Sequence, residues 1–491
     1  MQQKRQFSSP FPQEYQGAQG EQGRSIDRKQ PYPLPRLPLR PQVQPHFPLP
    51  TTMETASQRE MKTANWQSVQ QKRPAPQRRQ SARRPVRGRR GGARSRPGWV
   101  WRVTVTCSLL MIILAAILSV GNGETGAWFA DTFRATFGPV VTAQIESWYL
   151  GATDLLHQAQ YQLGGKQVSA PWTVTPTTGM PSITTPPHAP HTLGPVPMSL
   201  QSITPLFSPA ISGAGSWETI SMAPAPYGNL PLAVKTFIQP DASHPFAVVT
   251  LLKFDSRFIL LHMVAGTSQP GGPLGVPGPG VIPAAAQASN TLLAAFNGGF
   301  MYADGQYGMA VNGVVYVPPQ PGTATIAVTK EGQIIMGAWG VDPRLNSSNT
   351  DLAAWRQNDV LLINNGTINP LTQDGAAWGA TILNSAYTWR SGLGITAQGS
   401  LVYAGGNSLT ARTLAIALKA AGAVMAMQTD INPYWVRAFV YNRASNGALS
   451  ITKLNPNMQG TGTEYLSGTA RDFFYLTRFA PPLSTLLAKQ P

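Results

Sequence analysis

Between Val103 and Val120 the chain carries no charged residue: "VTVTCSLLMIILAAILSV". As a helix rising 1.5 Å per residue, such a run roughly crosses a hydrocarbon core of about 30 Å. Trp99 and Trp101 precede it, and tryptophan favours the membrane interface. A buried soluble helix or a signal-peptide core has similar composition. A signal peptide, however, does not normally follow a tail of about a hundred residues. The reading is one transmembrane helix over residues 99–121, which divides the chain into two parts with different solvents.

Residues 1–98 are rich in Gln, Pro and Arg and hold no lasting hydrophobic period. Such a segment buries too little apolar surface to offset its ordering entropy, so it is read as a disordered cytoplasmic tail. Charge separates it from the rest. The whole chain carries 38 Lys/Arg against 21 Asp/Glu, a net of +17. Residues 1–97 hold 20 Lys/Arg and 5 Asp/Glu, which leaves 38 − 20 = 18 basic and 21 − 5 = 16 acidic residues after them. Arginines on the N-terminal flank stay in the cytoplasm by the positive-inside rule, so the C-terminal part is expected outside. The bilayer is one expected partner, through residues 99–121, and anionic lipid headgroups near the basic tail are another. A tail that grips nucleic acid is the weaker reading of the same arginines. Cys107 is the one cysteine and lies within the span, so no intrachain disulfide is possible.

After the span, residues 122–163 read as a helical stalk, with Trp128, Phe129, Phe133, Phe137, Val140 and Val141 at three- and four-residue intervals. Residues 164–215 are rich in Pro, Thr and Ser and read as a semi-extended linker. His188 and His191 fall there without acidic or Cys partners, which reads as solvated rather than metal-binding.

From 216 to 480 the pattern changes to short β-branched runs between turn signals, such as "FAVVTLLKF", "FILLHMV" and "ATIAVTKEGQIIMGAWG". "TKEGQI" and "NNGT" read as hairpin turns. "LTARTLAIALKAAGAVMAM" reads as a helix, with Thr410 at its N-cap and Gly422 near its end. The expected fold is α+β: a mixed, β-rich globular domain with few helices. It is preceded by the disordered tail, the transmembrane helix and the stalk, and followed by a short tail, 481–491.

Several reaction templates are missing. The domain has no G-x-S-x-G elbow, no Walker loop, no H-E-x-x-H and no Cys, and only His244 and His262 fall within it. No metal ligands are assigned and no cofactor is named. Three stretches gather the remaining polar chemistry. "LLAAFNGGFMY" places Asn297, Gly298 and Gly299 after an apolar run; it fits a tight turn, and it also fits a loop whose backbone approaches a ligand. "YTWRSGLGIT" places Trp389 and Arg390 ahead of a glycine-containing strand, where an Arg is either solvated or turned to a phosphate or carboxylate. "AMQTDINPYWV" places Asp430 and Asn432 at strand spacing, so both are expected on one side, with Tyr434 and Trp435 after Pro433. A carboxylate beside aromatic rings suits a sugar site, although an Asp capping a turn has the same local pattern.

Taken in order, these stretches resemble the phosphodiester glycosidase family, that of the lysosomal uncovering enzyme and many bacterial exported relatives. The family's N-G-G-F-F element is matched at Asn297–Phe300. "GMAVNG", at Gly308–Gly313, and "LLINNG" follow. The R-(T/S)-x-x-G-I element is matched at Arg390, Ser391, Gly394 and Ile395, then Gly399 and Leu401, the helix "LAIALKAAGA" and a strand closing on Asp430. The likeness spans roughly residues 290–440. Where the family has L-D-G-G-G-S, this chain has "TDINPYW", which keeps Asp430 and replaces the glycines.

The resemblance implies a membrane-anchored hydrolase acting on a sugar-phosphodiester or related glycosidic bond of an envelope polysaccharide. Asp430 would be its base or nucleophile, Arg390 the cation for phosphate, and Asn297 with Asn432 the groups that orient the sugar. Gly298 and Gly299 would admit the substrate, and Trp389, Tyr434 and Trp435 would stack on it. The alternative is a non-catalytic glycan-binding envelope module on the same fold.

Overall fold

The structure is a computed structural model. It describes residues 132, 136, 152, 154–164, 168–173, 198–220, 231–374, 378–379, 387–444 and 446–479. The basic tail, the apolar run at 99–121, most of the stalk, His188, His191 and residues 481–491 lie outside them. Among the described residues no helix is long and apolar enough to cross a membrane.

The strands in chain order begin with β1 (Glu218–Thr219), β2 (Ala233–Ile238), β3 (Val249–Phe254), β4 (Ile259–Val264), β5 (Leu292–Asn297) and β6 (Met309–Val311). Next come β7 (Val314–Val317), β8 (Ala324–Thr329), β9 (Ile334–Ala338), β10 (Leu352–Gln357), β11 (Leu361–Asn364) and β12 (Thr367–Ile368). The last are β13 (Thr388–Thr396), β14 (Leu401–Leu409), β15 (Ala423–Ile431), β16 (Ala438–Arg443), β17 (Leu449–Lys453) and β18 (Phe473–Arg478). Between them lie α1 (Ala284–Ala288), α2 (Ala411–Ala420) and α3 (Glu464–Ser467). The β-rich character is as expected, and the helices inside the domain are short.

Three antiparallel sheets result. The first runs β1-β2-β3-β14-β13-β15-β11-β12, the second β7-β6-β10-β8-β9 and the third β17-β16-β5-β18-β4. The expected hairpin turns form for the reason their sequences imply. Asn365 and Gly366 both take positive φ between β11 and β12, and Gly332 does so between β8 and β9. α2 starts at Thr410, whose side chain caps Thr413 N while Thr413 Oγ1 caps Thr410 N.

β13 is the central strand that organises the site, and it is buried along its whole length. Its two faces differ by alternation. Arg390, Gly392 and Gly394 share one face, where a Cβ at Gly392 would stand 3.1 Å from Leu418 and 3.3 Å from Leu414. Glycines there let α2 seat its leucines on the strand. Trp389, Leu393 and Ile395 on the other face join the main core with Phe254, Phe296, Tyr403, Met427 and Phe474.

The domain begins earlier than position 216. Residues 198–215, expected in the linker, lie against the sheet. Met198 and Ile203 enter the core on the α2 side, Ile203 N donates to Gly215 O, and Lys253 Nζ donates to Ser199 O. Apolar residues spaced among polar ones are enough to dock an extended strap, which a composition average conceals. Residues 154–162 are helical. There Asp154 Oδ2 lies 3.6 Å from His244 Nε2, and His244 stacks on Tyr387 at 3.8 Å between ring centroids.

Candidate active site

The ends of strands from all three sheets meet at one point. β5 of the third sheet ends at Asn297, which is only 5% exposed. Its Nδ2 donates to Ser391 Oγ at 3.0 Å and Thr429 Oγ1 at 3.2 Å, both on the first sheet. Its Oδ1 accepts from Tyr403 OH at 3.0 Å and Arg437 N at 3.2 Å. Just past β10 of the second sheet, Asn358 donates through Nδ2 to Gln428 O and Thr429 O and accepts from Phe300 N. Arg356, at the end of β10, pairs with Asp472 at 2.8 Å, just ahead of β18. Asn297 thus ties the third sheet to the first with an amide used at both ends.

Close approach explains the two glycines. A Cβ at Gly298 would lie 2.1 Å from Asp472 Oδ2, and one at Gly299 would lie 3.0 Å from the Arg356 guanidinium. The buried pair therefore packs directly on the loop. Every backbone N–H here is taken: Asn297 N by Arg437 O, Gly298 N by Asp472 O, Gly299 N by Asp472 Oδ2, and Phe300 N by Asn358 Oδ1. The glycines admit the protein's own ion pair.

Asp430 reaches this point through a bulge. Arg390 pairs with Ile431 and Gly392 with Gln428, so Thr429 and Asp430 together oppose Ser391. Two residues against one re-aim a side chain. Asp430 N donates to Ser391 Oγ at 3.3 Å, and Asp430 Oδ1 accepts from Ile431 N at 2.8 Å. Burial pushes the Asp430 carboxyl up to about 7; the Arg471 charge and the Ile431 N–H hold it down, while Asp472 and Asp304 push it further up.

Arg390 does not join Asn297 and Asp430 as expected. Strand alternation sends it to the opposite face of β13, and Ser391 occupies the place beside them. Arg390 is fully buried. Its Nη1 donates to Gln428 Oε1 at 2.6 Å and Trp378 O at 2.9 Å, and its Nε donates to Leu409 O at 3.0 Å. Gln428 in turn donates to Asp359, which also accepts from Tyr307 OH, each at 2.7 Å. Burial lowers the Arg390 guanidinium to about 10 and raises the Asp359 carboxyl to about 6.

Asn432 also departs from its expected direction. β15 ends at Ile431, and Asn432 sits at φ +87°, out of strand geometry. Its Oδ1 accepts from Tyr434 N, and its carbonyl accepts from Trp435 N and Val436 N. It builds the turn that follows Asp430. Trp389 lies in the core. Tyr434 and Trp435 are in the turn beside Asp430, edge to face at 6.5 Å.

The sequence reading passed over Arg471. Its guanidinium lies over the Trp435 ring at 3.8 Å and its charge acts on Asp430. Nothing about "TARDFF" marks it in advance, because it is brought in by β18 pairing with β5, where Phe473 faces Asn297. Among the described residues no group of three or more His, Cys, Asp or Glu is arranged to hold a metal.

No curated protein matches the chain. Among solved structures it is similar to the catalytic domain of zebrafish N-acetylglucosamine-1-phosphodiester alpha-N-acetylglucosaminidase, auto-inhibited by its pro-peptide. That likeness has 15% identity over 54% of this chain and 88% of that one, with a TM-score of 0.34. It is also similar to a hypothetical protein from Synechocystis, with 11% identity over 50% of this chain and 62% of that one, and a TM-score of 0.30. Residues 290–430 match the family model described as phosphodiester glycosidase. The segment that runs from the strand of Asn297 to Asp430 is therefore a domain of the phosphodiester glycosidase type, the family that its ordered motifs resemble.

Proposed function

We propose that the chain is a glycosidase that hydrolyses a sugar-phosphodiester bond, with Asp430 as its base. The observation that carries this reading is the place of Asp430. It is the carboxylate at the meeting point of three sheets whose Oδ1 is tied to a backbone N–H, and no hydrogen bond among the described residues engages its Oδ2. A carboxyl raised to about 7 is matched to proton transfer near neutral pH. A phosphate ester is already a good leaving group, so strong help from a second acid is not required. Water attacks the anomeric carbon and gives its proton to Asp430. The bond from that carbon to the ester oxygen breaks, and the phosphate leaves with the electron pair. Tyr434 and Trp435, buried in the turn after Asp430, back the sugar's place, and Asn297 and Ser391 hold the floor beneath it.

The test is hydrolysis of p-nitrophenyl sugar-phosphodiesters by the full-length chain. Turnover is expected to rise with pH through about 7 and to vanish in Asp430→Asn, which still folds. Turnover retained by that variant removes the assignment. Glycan binding by the wild-type chain without product favours the binding-module reading instead.

We further propose that residues 99–121 anchor the domain on the outer side of the membrane, where an envelope polysaccharide would supply the substrate. The support is the uncharged run and the arginines before it. Protease added to intact cells should remove the domain; full protection of it contradicts this placement.

A further inference from the structure

A phosphodiester carries a negative charge, and the site has to hold it. Backbone amides do not do so in either loop that frames Asp430. Those of residues 297–300 are occupied, as described above. In the turn after Asp430, Ile431 N is bound to Asp430 Oδ1, Asn432 N to Trp389 O, and Tyr434, Trp435 and Val436 N to Asn432. Pro433 has no N–H, and Arg437 N is bound to Asn297 Oδ1. The buried guanidinium of Arg356 has all three of its nitrogens bound to protein oxygens.

Arg471 is different. Its Nε is buried and has no hydrogen-bond partner among the described residues. A buried guanidinium N–H without an acceptor is costly unless something completes it. The ring of Trp435 holds the guanidinium plane from one face at 3.8 Å, and no hydrogen bond among the described residues engages its edge, where the donors lie. Asp472 next to it is paired with Arg356.

We propose that Arg471, stacked on Trp435, is the anion-binding group of this site and takes the phosphate of a phosphoester through the edge of its guanidinium. The role of phosphate cation passes from Arg390, buried on the far face of β13, to Arg471. The extension to substrate rests on the hydrolase reading above; the anion site itself does not. A planar fork matched to two phosphate oxygens is a geometry a lysine does not reproduce.

Calorimetric titration of the full-length protein with inorganic phosphate at pH 6, without substrate, tests the site. Wild type is expected to bind. Arg471→Met should weaken binding at least about tenfold, and Arg471→Lys by less, because it keeps the charge and loses the fork. Trp435→Leu should also weaken it. Arg344→Met, at an exposed Arg paired with Asp342, should bind as wild type does. Melting profiles of both Arg471 variants check that the fold persists. Undiminished phosphate binding by a folded Arg471→Met protein overturns the proposal, as does an equal loss in Arg344→Met.

Turnover separates the two readings. Phosphate binding lost in Arg471→Met, with no hydrolysis by wild type, supports the anion site and removes the hydrolase. Hydrolysis that Asp430→Asn abolishes, with an unchanged KM for the phosphodiester in Arg471→Met, keeps the hydrolase and overturns the anion site.

Discussion

Arg390 and Ser391 are neighbours in sequence and occupy opposite sides of a buried strand. Ser391 bridges Asn297 and Asp430, whereas Arg390 closes a chain of hydrogen bonds through Gln428 to Asp359 and Tyr307. Removing Arg390 would leave Gln428, Trp378 O and Leu409 O short of a donor in a dry interior. Arg390→Met is therefore expected to destabilise the protein by about 3 kcal/mol or more, since buried hydrogen bonds to a charged group contribute about 1.5–3 kcal/mol each. Denaturant unfolding measures this. A stable Arg390→Met protein with lost activity would instead restore Arg390 to the chemistry.

At the scale of the element, the turn after β15 shows how one residue type replaces another. Asn is among the few non-glycine residues that tolerate positive φ, and its side chain can bind its own downstream backbone. Asn432 does both, at φ +87° and through Tyr434 N. Asn432→Gly loses only the side-chain bond, whereas Asn432→Ala also takes on the backbone strain. The Ala variant should be less stable than the Gly variant by about 1 kcal/mol, read from their thermal or urea midpoints. Equal stabilities would mean that the turn relaxes out of this conformation. The same turn sets Trp435 beneath Arg471, so its failure should also loosen phosphate binding.

Across the whole molecule, buried titrating groups shape stability against pH. Burial raises Asp430 to about 7 and Asp359 to about 6 from the ordinary carboxyl value of 3.8. Raised carboxyls favour the folded state while protonated, so their contribution is complete below about 4 and is lost as pH climbs through about 6 to 7. Lys253, held over the Trp217 ring, is lowered by burial from 10.5 to about 7. Its contribution has the opposite direction: present above 10.5 and lost as pH falls through about 7. Together these three groups predict a shallow minimum in melting temperature near pH 7. Asp430→Asn should flatten the acidic arm and Lys253→Met the basic arm. A melting profile that rises steadily from pH 4 to 7 contradicts this.

The sequence alone determined what depends on local periods and turn chemistry. The hairpins at "NNGT" and "TKEGQI", the capped helix at Thr410, the β-rich domain and the family pattern between Asn297 and Asp430 were all legible there. Turn angles and alternation act over a few residues and leave their mark on consecutive letters. Tertiary structure decided which of those letters share a site. A bulge at Thr429 and Asp430, invisible without the partner strand, set both residues against Ser391, which bonds Asn297. Alternation took Arg390 away, and the pairing of β18 with β5 brought in Arg471 from far along the chain. Long-range strand pairing sets such neighbours, and the register of one strand against another is written in neither strand separately.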